Sequence, residues 1–337
     1  MRKCLGIIMG GYSSEYEVSM KSGNNMFSAV DRNKYEVFGI EINRNGHKAW
    51  DEHYTEIEFN ETKMTVTRNR QTLKLDLLFN LVHGHPGEDG TLSLKWESTG
   101  IPYSSSAPGP SALTFHKAWS NGVVSRMGAK IPKAILINSQ IDVNSLKSKL
   151  SDFDLPIFVK PSRAGSSFGI TKIHSLNDLN ESIKIASKED DSIIIEEGIA
   201  GIELACGLLK IKNKIKVLGI TEIISKNEFF DYEAKYSGLT EEITPANISS
   251  NNSLEIENIS KSLYGQLNLK GFCRFDFILP KNSPAVLIEI NTVPGMTLES
   301  IIPNQLKNID LSLKEFTNLL AEEVLENGKN RNFPGIF

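Results

Sequence analysis

The segment RFDFILPKNSPAVLIEIN, residues 274–291, holds two apolar runs on either side of a Pro-bounded turn, yet each run carries charged or amide side chains that a hydrophobic core excludes. Consecutive strand residues point to opposite faces of a sheet. Arg274 and Asp276 are therefore predicted to share the polar face of the first strand. In the second strand, the same alternation predicts Leu287 on the polar face and Ile288 on the apolar face. This pattern restricts the segment to a hairpin with one apolar and one polar side.

Strand pairing decides which of these polar groups meet. If the chain folds back at residues 282–283, antiparallel pairing sets Asp276 opposite Glu289 and Arg274 opposite Asn291. Two interpretations of this cluster remain open. It is either the solvent face of an amphipathic hairpin, or a set of hard oxygen ligands for Mg²⁺, which keeps waters and substrate phosphates in its other positions.

Length and composition limit the function classes. A chain of 337 residues with 40% hydrophobic and 23% charged residues is typical of a globular protein of two or three domains. A net charge of -4 predicts no nucleic-acid partner and no attraction to an anionic membrane, and no apolar run approaches the ~20 residues of a membrane span. Cys4, Cys206 and Cys273 lie far apart in apolar segments, which predicts buried free thiols in a reducing cytoplasm and no zinc site.

Three regions follow from the order of the predicted elements. In the first, strands at KCLGIIMGG, YEVFGIEI and LDLLFNLVHG alternate with helical segments, which is typical of an α/β domain with a parallel sheet. The Pro- and Ser-rich segment 101–113 marks a boundary. A small mixed domain follows, and then a longer one that closes on an amphipathic helix. We predict domains at 1–104, 105–195 and 196–337.

Two loops carry residues suited to anions. In FVKPSRAGSSFGI, Lys160 ends a strand, and the following Gly- and Ser-rich stretch, with Ser166 and Ser167, offers N–H groups and hydroxyls that can cradle phosphate. It is not a Walker loop, because its lysine precedes the glycines. In HGHPGEDG, His83 follows an apolar strand at the end where ligands of open α/β sheets collect. Taken alone, each loop is equally compatible with an ordinary polar turn.

Two further segments carry polar groups that chemistry could use. EAKY places Lys235 and Tyr236 side by side in a loop-like stretch, which by itself favours a solvated charged loop. INTVPGMTLES continues the hairpin into a Pro-Gly turn, where the Gly295 N–H and the Ser300 hydroxyl can receive a carboxylate or an oxyanion. Neither segment is decisive alone.

Taken in order, these segments resemble the D-alanine-D-alanine ligases of the ATP-grasp superfamily. The resemblance rests on GGYSSEYEVS, HGHPGEDG, VKPSRAGSSFGI, IIIEEGIAGIELACG, DYEAKY, GFCRFDF and IEINTVPGMT, and it covers almost the whole chain. It implies a mixed α/β (α+β) fold in a three-domain ATP-grasp architecture with an N-terminal parallel-sheet domain. It also implies a cytoplasmic homodimer that makes D-alanyl-D-alanine for peptidoglycan synthesis.

The resemblance implies a reaction in two steps. The carboxylate of one D-alanine attacks the γ-phosphate of ATP to form an acyl phosphate, and the amine of a second D-alanine then displaces phosphate. Two Mg²⁺ ions, or Mn²⁺ in their place, would bridge the ATP phosphates through Asp276, Glu289 and Asn291. The other positions that match nucleotide contacts of the family are Lys117, Lys160, Ser167, Glu196, Glu197, Ile199, Glu203 and Lys235.

Substrate contacts carry over in the same way. The matching positions are Glu15, Ser166, Tyr236, His83, Arg274, Gly295 and Ser300. The first three form a triad that orients the first D-alanine, and His83 matches a residue near its carboxylate. Arg274 and the Gly295 N–H would stabilise the tetrahedral oxyanion, and Ser300 would hold the second carboxylate.

Some residues depart from the family pattern, and alternatives remain. His116 stands where an Asp usually precedes the phosphate lysine, Gly198 lacks a bulky side chain beside adenine, and Glu299 replaces a His or Tyr next to the second-substrate serine. Relatives with the same chemistry accept D-serine or D-lactate second, and a catalytically silent nucleotide-binding homologue is a further alternative. Tyr236 favours D-alanine as the second substrate.

Overall fold

The computed structural model describes residues 2–225 and 240–329, so Lys235 and Tyr236 of the predicted site lie outside the described residues. Within that part, three β-sheets follow one another along the chain, and helices alternate with their strands. The predicted mixed α/β class is confirmed.

The first sheet has seven strands in the order β6-β5-β4-β3-β2-β1-β7. Among the described strands, β2, β1 and β7 pair in parallel, and every step from β2 to β6 is antiparallel. The predicted parallel sheet is thus confined to three strands, because the links from β2 to β6 are too short for the crossover that parallel pairing needs. The elements are β1 (Lys3–Gly10), α1 (Tyr16–Ala29), β2 (Tyr35–Ile42), β3 (Lys48–Trp50), β4 (Glu56–Asn60), β5 (Thr65–Arg68), β6 (Gln71–Lys74), β7 (Leu77–Asn80) and α2 (Thr91–Thr99).

The second sheet is antiparallel, with four strands in the order β10-β9-β11-β8. Ile157 and Val159 of β9 are fully buried against α6. The second sheet and this helix therefore enclose a small hydrophobic core between them. The elements of this region are α3 (Pro108–Phe115), α4 (Lys117–Arg126), β8 (Ala134–Asn138), α5 (Val143–Lys149), β9 (Ile157–Pro161), β10 (Thr171–Ile173), α6 (Leu179–Ala186) and β11 (Ser192–Glu197).

The third sheet is also antiparallel, with five strands in the order β14-β13-β12-β15-β16. Its core includes Ile256, Leu263 and Tyr264 of α7, all buried. The elements are β12 (Ile202–Ile211), β13 (Lys214–Ser225), β14 (Thr240–Ile243), α7 (Ser250–Gln266), β15 (Phe272–Leu279), β16 (Val286–Asn291), α8 (Ile301–Asn308) and α9 (Leu313–Lys329).

The predicted hairpin corresponds to β15 and β16, and its pairing is confirmed. Asp276 lies opposite Glu289, and Arg274 lies opposite Asn291. On the other face, Phe275 is 0% exposed and packs in the core beneath the sheet. The hairpin therefore has one face in a core and one polar face.

A β-bulge interrupts the alternation of the second strand. The register shifts after Asp276, so that Phe277 pairs with Leu287 and the ladder skips Ile288. Leu287 is buried in the core, while Ile288 lines a cavity on the polar face. The prediction that Leu287 lies on the polar face and Ile288 on the apolar face is wrong. The extra residue of the bulge breaks the alternation, so the residues before it point to the opposite faces from those expected.

The C-terminal helix α9 returns to the first sheet. Phe316 and Leu320 of this helix share one core cluster with Ile7 and Phe27. Phe316 also packs edge-on against Phe272 of β15, with 5.4 Å between the ring centroids. The first and third sheets therefore share a core, and the predicted division into three domains stays a prediction.

The cysteines are buried and free, as predicted. Burial raises the pKa of the Cys206 thiol to about 12, so this thiol remains protonated. Across the described residues, no helix combines the length and apolar character that spanning a bilayer demands.

Candidate active site

Two cavities open on the polar face of the hairpin. The larger, of about 420 Å³, lies between the second and third sheets, and the smaller, of about 110 Å³, is lined partly by residues of the first region. Arg274 and Glu289 line both cavities. The side chains of Arg274 and Asp276 are 20% and 14% exposed. The polar face is therefore a wall shared by two cavities, and the solvent-face interpretation is wrong.

Charge-assisted hydrogen bonds connect the side chains of this wall. Arg274 donates to both oxygens of Asp276, from Nε to Oδ1 at 2.7 Å and from Nη2 to Oδ2 at 2.6 Å. Asn291 Nδ2 donates to Asp276 Oδ2 at 3.0 Å and to Glu289 Oε1 at 3.4 Å. Burial disfavours the charge of Arg274, but the adjacent carboxylates outweigh burial and raise its pKa. The guanidinium therefore stays charged.

Asp276, Glu289 and Asn291, the residues predicted to hold a cation, lie together on this wall. Among residues 2–225 and 240–329, no three Asp, Glu, His or Cys side chains are grouped so as to hold a metal by themselves. Two carboxylates still fit Mg²⁺, which nucleotide sites hold through one or two carboxylates together with phosphate oxygens. Asn291 presents its Nδ2 to the carboxylates, so its Oδ1 becomes a ligand only when the amide turns. The donor set suits a divalent cation that is bound together with a polyphosphate.

Lys117, the first residue of α4, contacts both this wall and the glycine-rich loop at residues 162–169. Its Nζ lies 3.2 Å from Glu289 Oε2 and donates to the Ala164 carbonyl oxygen at 2.6 Å. Burial alone would lower the pKa of Lys117, but the charge of Glu289 and the hydrogen bond to it raise the pKa instead. A phosphate in the large cavity would therefore meet a charged amine.

Lys160, on β9, is a second cation in the large cavity. Its Nζ lies 2.6 Å from Glu196 Oε2, and the two side chains are 7% and 4% exposed. Asn121 Nδ2 donates to the other oxygen of Glu196 at 3.2 Å. Asn121 therefore holds one carboxylate oxygen of Glu196, and the other oxygen fixes the position of the Lys160 amine.

The remainder of the large cavity is an apolar slot with an acidic end. Its walls include Phe158, Ile170, Ile223 and Ile278. A slot of this kind suits a planar heterocycle, with Glu203 available to sugar hydroxyls and two lysines available to phosphates. The described residues predicted to contact the nucleotide all line it: Lys117, Lys160, Ser167, Glu196, Glu197, Ile199 and Glu203.

The small cavity contains a buried carboxylate oxygen that no described residue contacts by a hydrogen bond. Glu15 is 7% exposed, and its Oε1 accepts from the Ser166 hydroxyl at 2.6 Å. Its Oε2 has no hydrogen-bond partner among the described residues. Leaving such an oxygen unpaired is costly, so the site indicates a ligand that donates to it. The other described residues predicted for the substrates line the same cavity: His83, Ser166, Arg274, Gly295 and Ser300.

The glycine-rich loop has an uncommon backbone at its tip. Ser166 and Ser167 have φ angles of 48° and 61°, the left-handed region that side chains rarely adopt. Asp190 anchors the loop by accepting from the Arg163 backbone N at 2.9 Å, Nε at 3.1 Å and Nη2 at 2.6 Å. Sequence reasoning missed this anchor, since 27 positions separate the two residues and no spacing rule connects them.

Glu88 is a second residue that sequence reasoning missed, although it lies in the HGHPGEDG segment. It is buried, and its oxygens accept from the backbone N–H groups of Gly84 at 2.8 Å and Val293 at 3.2 Å. Burial, followed by the charge of Glu15, raises its pKa to about 8. The available signal was an acidic residue in the turn that follows a buried parallel strand.

Comparison with known proteins gives matches to one family along the chain. Residues 4–106 match the family model described as D-ala D-ala ligase N-terminus, and residues 125–322 match D-ala D-ala ligase C-terminus. The D-alanine-D-alanine ligase of Flavobacterium johnsoniae is 43% identical over 319 residues, which are 94% of this chain and 98% of that protein. The enzyme of the same name from Azobacteroides pseudotrichonymphae is 36% identical over 323 residues, 96% of this chain and 100% of that protein.

Solved structures match over the same extent. The VanG D-Ala:D-Ser ligase from Enterococcus faecalis superposes with a TM-score of 0.83 at 31% identity, covering 96% of this chain and 100% of that one. The D-alanine-D-alanine ligase from Bacillus anthracis, solved in complex with ATP, gives a TM-score of 0.79 at 27% identity, covering 98% of this chain and 100% of that one. The fold is therefore shared with these proteins.

Proposed function

This chain belongs to the D-alanine-D-alanine ligase family, and from this premise we propose that its two cavities join two D-alanine molecules into D-alanyl-D-alanine with the use of ATP. The product serves peptidoglycan synthesis. The proposal rests on one observation: in an amino-acid-sized cavity, Glu15 Oε2 has no hydrogen-bond partner in the described part of the chain, and this cavity shares Arg274 and Glu289 with a nucleotide-sized one. An ammonium group bound there would satisfy the buried carboxylate.

In the first step, the chain's own residues orient one D-alanine and offset the charge of the triphosphate. Glu15 and Ser166 hold the substrate ammonium, while Lys117 and Lys160 receive the phosphates. A carboxylate oxygen of D-alanine forms a bond to the γ-phosphorus as the bond to the bridging oxygen of ADP breaks. Enclosure by the two cavities protects the acyl phosphate from water, and positioning can supply several of the ~7 to 11 kcal/mol available from proximity.

A divalent cation is part of this proposal. We assign two Mg²⁺ ions, with Mn²⁺ as an alternative, to Asp276, Glu289 and Asn291. When bound, they would neutralise charge on the triphosphate as the substrate carboxylate approaches. Arg274 already compensates Asp276 through two hydrogen bonds, so the wall keeps its shape before the cations arrive.

In the second step, the amine of the second D-alanine attacks the acyl carbon. Its ammonium loses a proton, the new C–N bond forms, and the C–O bond to phosphate breaks. Gly295 lines the small cavity, and its N–H is bonded to no acceptor among the described residues, which supports a role in binding the tetrahedral oxyanion beside Arg274. Ser300 lines the same cavity, and its Oγ accepts from Thr297 N at 3.1 Å, which supports a role in holding the second carboxylate. Tyr236 and Lys235 keep the roles that the resemblance assigns to them.

The test is phosphate release from ATP and Mg²⁺ with D-alanine, with D-serine, D-lactate and L-alanine as parallel additions and the products identified by mass. D-alanine-dependent release with a dipeptide product is expected. No release with any of these amino or hydroxy acids, despite bound ATP, would favour a silent nucleotide-binding homologue.

A different second substrate is a separate outcome of this assay. VanG, the structural match at 31% identity, is a D-Ala:D-Ser ligase, whereas the curated relatives up to 43% identical are D-alanine-D-alanine ligases. The relatives therefore do not favour D-serine or D-lactate. A D-alanyl-D-serine product formed in preference to the dipeptide of D-alanine would reverse this assignment and direct attention to Glu299, which lines the small cavity beside Ser300.

The proposal also includes a cellular location and an oligomeric state. We place the enzyme in the cytoplasm, where its nucleotide substrate is made and its three buried thiols stay reduced. We also propose a homodimer, as the resemblance implies. Light scattering on the purified full chain would decide the oligomeric state.

A further inference from the structure

The turn at residues 293–296 is bonded on its first residue to the N-terminal region. Val293 N donates to Glu88 Oε1 at 3.2 Å, and the Val293 carbonyl oxygen accepts from His83 Nδ1 at 2.7 Å. His83 stands just after β7, and Glu88 stands in the turn that follows. Both polar groups of Val293 are therefore held by a segment more than 200 positions away, since 210 and 205 positions separate the partners.

The last residue of the turn is held in the same way by helix α1. Met296 N donates to Ser22 Oγ at 3.0 Å, and the Met296 carbonyl oxygen accepts from Asn25 Nδ2 at 2.7 Å. Ser22 is 0% exposed, so its hydroxyl does not contact bulk water. The two ends of the turn are thus fixed by two different elements of the N-terminal region.

His83 and Ser22 connect these two attachments. A carbonyl oxygen only accepts, so the proton of the neutral imidazole lies on Nδ1, toward Val293. Nε2 is then an acceptor, and the Ser22 hydroxyl lies 3.1 Å from it as donor. Burial lowers the pKa of His83, which agrees with this neutral form. A continuous series of hydrogen bonds therefore runs from Met296 N–H through Ser22 and His83 to the Val293 carbonyl.

This arrangement leaves one N–H in the turn for a ligand. Val293 N–H and Met296 N–H are used by the N-terminal region, and Pro294 has no N–H. Gly295 N–H bonds no acceptor in the described part of the chain, and the residue lines the small cavity. The direction of this single donor is set by the two fixed residues on either side.

We infer that Ser22 and His83 are positioning residues that aim the Gly295 N–H at the oxyanion of the second step. Both ring nitrogens of His83 are occupied by protein groups, so His83 acts on the reaction through the turn and not by donating to the first carboxylate. The inference rests on the proposed ligase function and adds Ser22 to it. It predicts that loss of the link slows dipeptide formation while leaving formation of the acyl phosphate intact.

Helix α1 offers a matched control one turn away. Ser19 is also 0% exposed, and its Oγ accepts from Gly10 N at 2.8 Å and donates to the Leu81 carbonyl oxygen at 2.7 Å. Ser19→Ala therefore removes two buried hydrogen bonds from the same helix without touching the turn at 293–296. Ser22→Cys keeps a group of similar size with weaker hydrogen bonds, and it serves as the milder variant.

The experiment measures kcat, the KM for D-alanine and for ATP, and the ratio of phosphate to dipeptide for each full-length variant. Ser22→Ala is expected to lower the kcat for dipeptide formation roughly 10- to 100-fold, with both KM values within about 3-fold of wild type. Phosphate should exceed dipeptide, because water intercepts the acyl phosphate while the amine step is slow. Ser22→Cys should fall between wild type and Ser22→Ala, and Ser19→Ala should keep a phosphate-to-dipeptide ratio of about one.

Two results would overturn the inference. One is a Ser22→Ala enzyme whose kcat and product ratio equal those of Ser19→Ala. The other is a rise in the KM for D-alanine at unchanged kcat, which would mean that the link serves substrate binding. If wild type itself shows no ligase activity, the proposed function fails, and hydrogen exchange still decides the link: the Met296 amide should exchange at least ~10-fold faster in Ser22→Ala or Ser22→Cys than in Ser19→Ala.

Discussion

Replacing Glu15 by Gln tests whether the buried carboxylate is maintained for a ligand. The Gln side chain keeps an oxygen for the Ser166 hydroxyl, which lies 2.6 Å from Glu15 Oε1, but it presents an amide nitrogen to the small cavity in place of Oε2. A hydrogen bond to a charged group contributes roughly 1.5–3 kcal/mol. Since ~1.4 kcal/mol is tenfold in affinity, the KM for the first D-alanine should rise roughly 10- to 150-fold.

The same substitution should act in the opposite direction on the ligand-free fold. Glu15 Oε2 is a buried carboxylate oxygen without a hydrogen-bond partner among the described residues, so its removal relieves a desolvation cost. We expect the free energy of unfolding to rise by roughly 1 kcal/mol, within the range for a single buried polar group. Urea denaturation without ligands gives this value, and initial rates at saturating ATP give the KM.

Glu41→Gln is the matched control. Glu41 is 8% exposed, but its Oε1 already accepts from Tyr16 at 2.8 Å and Asn43 at 3.0 Å, and it lines neither cavity. This variant should keep the wild-type KM and should gain no stability. The reasoning would be refuted by an unchanged KM in Glu15→Gln, or by a change in its free energy of unfolding equal to the change in Glu41→Gln.

Three other outcomes are expected. Asp276→Asn keeps the shape of the side chain but removes a proposed cation ligand, so kcat should fall at least ~10²-fold in a protein that is still folded at the assay temperature, although the loss of the charged partner of Arg274 lowers its stability; full turnover would contradict the metal role. Gly271→Ala puts a methyl group against the Ser104 carbonyl oxygen at a φ of 67°. Gly100→Ala has a similar φ of 70°, but its methyl group meets nothing within 4 Å. In urea denaturation, Gly271→Ala should therefore be roughly 1–3 kcal/mol less stable than Gly100→Ala. Burial raises the pKa of Glu88 from 4.5 to about 8. The stability that its protonation contributes is therefore fully present below about pH 4.5 and is lost as the pH rises to about 8. The free energy of unfolding should fall less steeply between pH 5 and 8 in Glu88→Gln than in wild type.

Local periodicity was sufficient for the elements whose residues alternate or repeat strongly. The pairing of Asp276 with Glu289 followed from a period of two and one turn, and β1, β2 and β7 followed from their apolar runs. The antiparallel extension from β3 to β6 was missed, because its strands are short and half exposed, as in the alternating exposed pattern of Glu56–Asn60. Tertiary pairing, not local preference, forms strands of this kind.

The site divides along the same line. Every described residue predicted from the resemblance lines at least one of the two cavities, and Arg274 and Glu289 line both. The groups that hold them in place were not predicted. Arg163 bonds Asp190 across 27 positions and Val293 bonds Glu88 across 205, and both bonds depend on how distant segments pack. No short-range pattern contains that information.

The two-faced hairpin has a consequence for how this enzyme can be engineered or can drift in sequence. Phe275 is buried in a core, while its neighbours Arg274 and Asp276 form the wall between the two cavities. A side chain that repacks that core displaces the very backbone on which the charged groups are mounted. Attempts to make the protein more heat-resistant from inside the third sheet should therefore be screened by turnover as well as by melting temperature, since here thermal robustness and reactivity are properties of one strand.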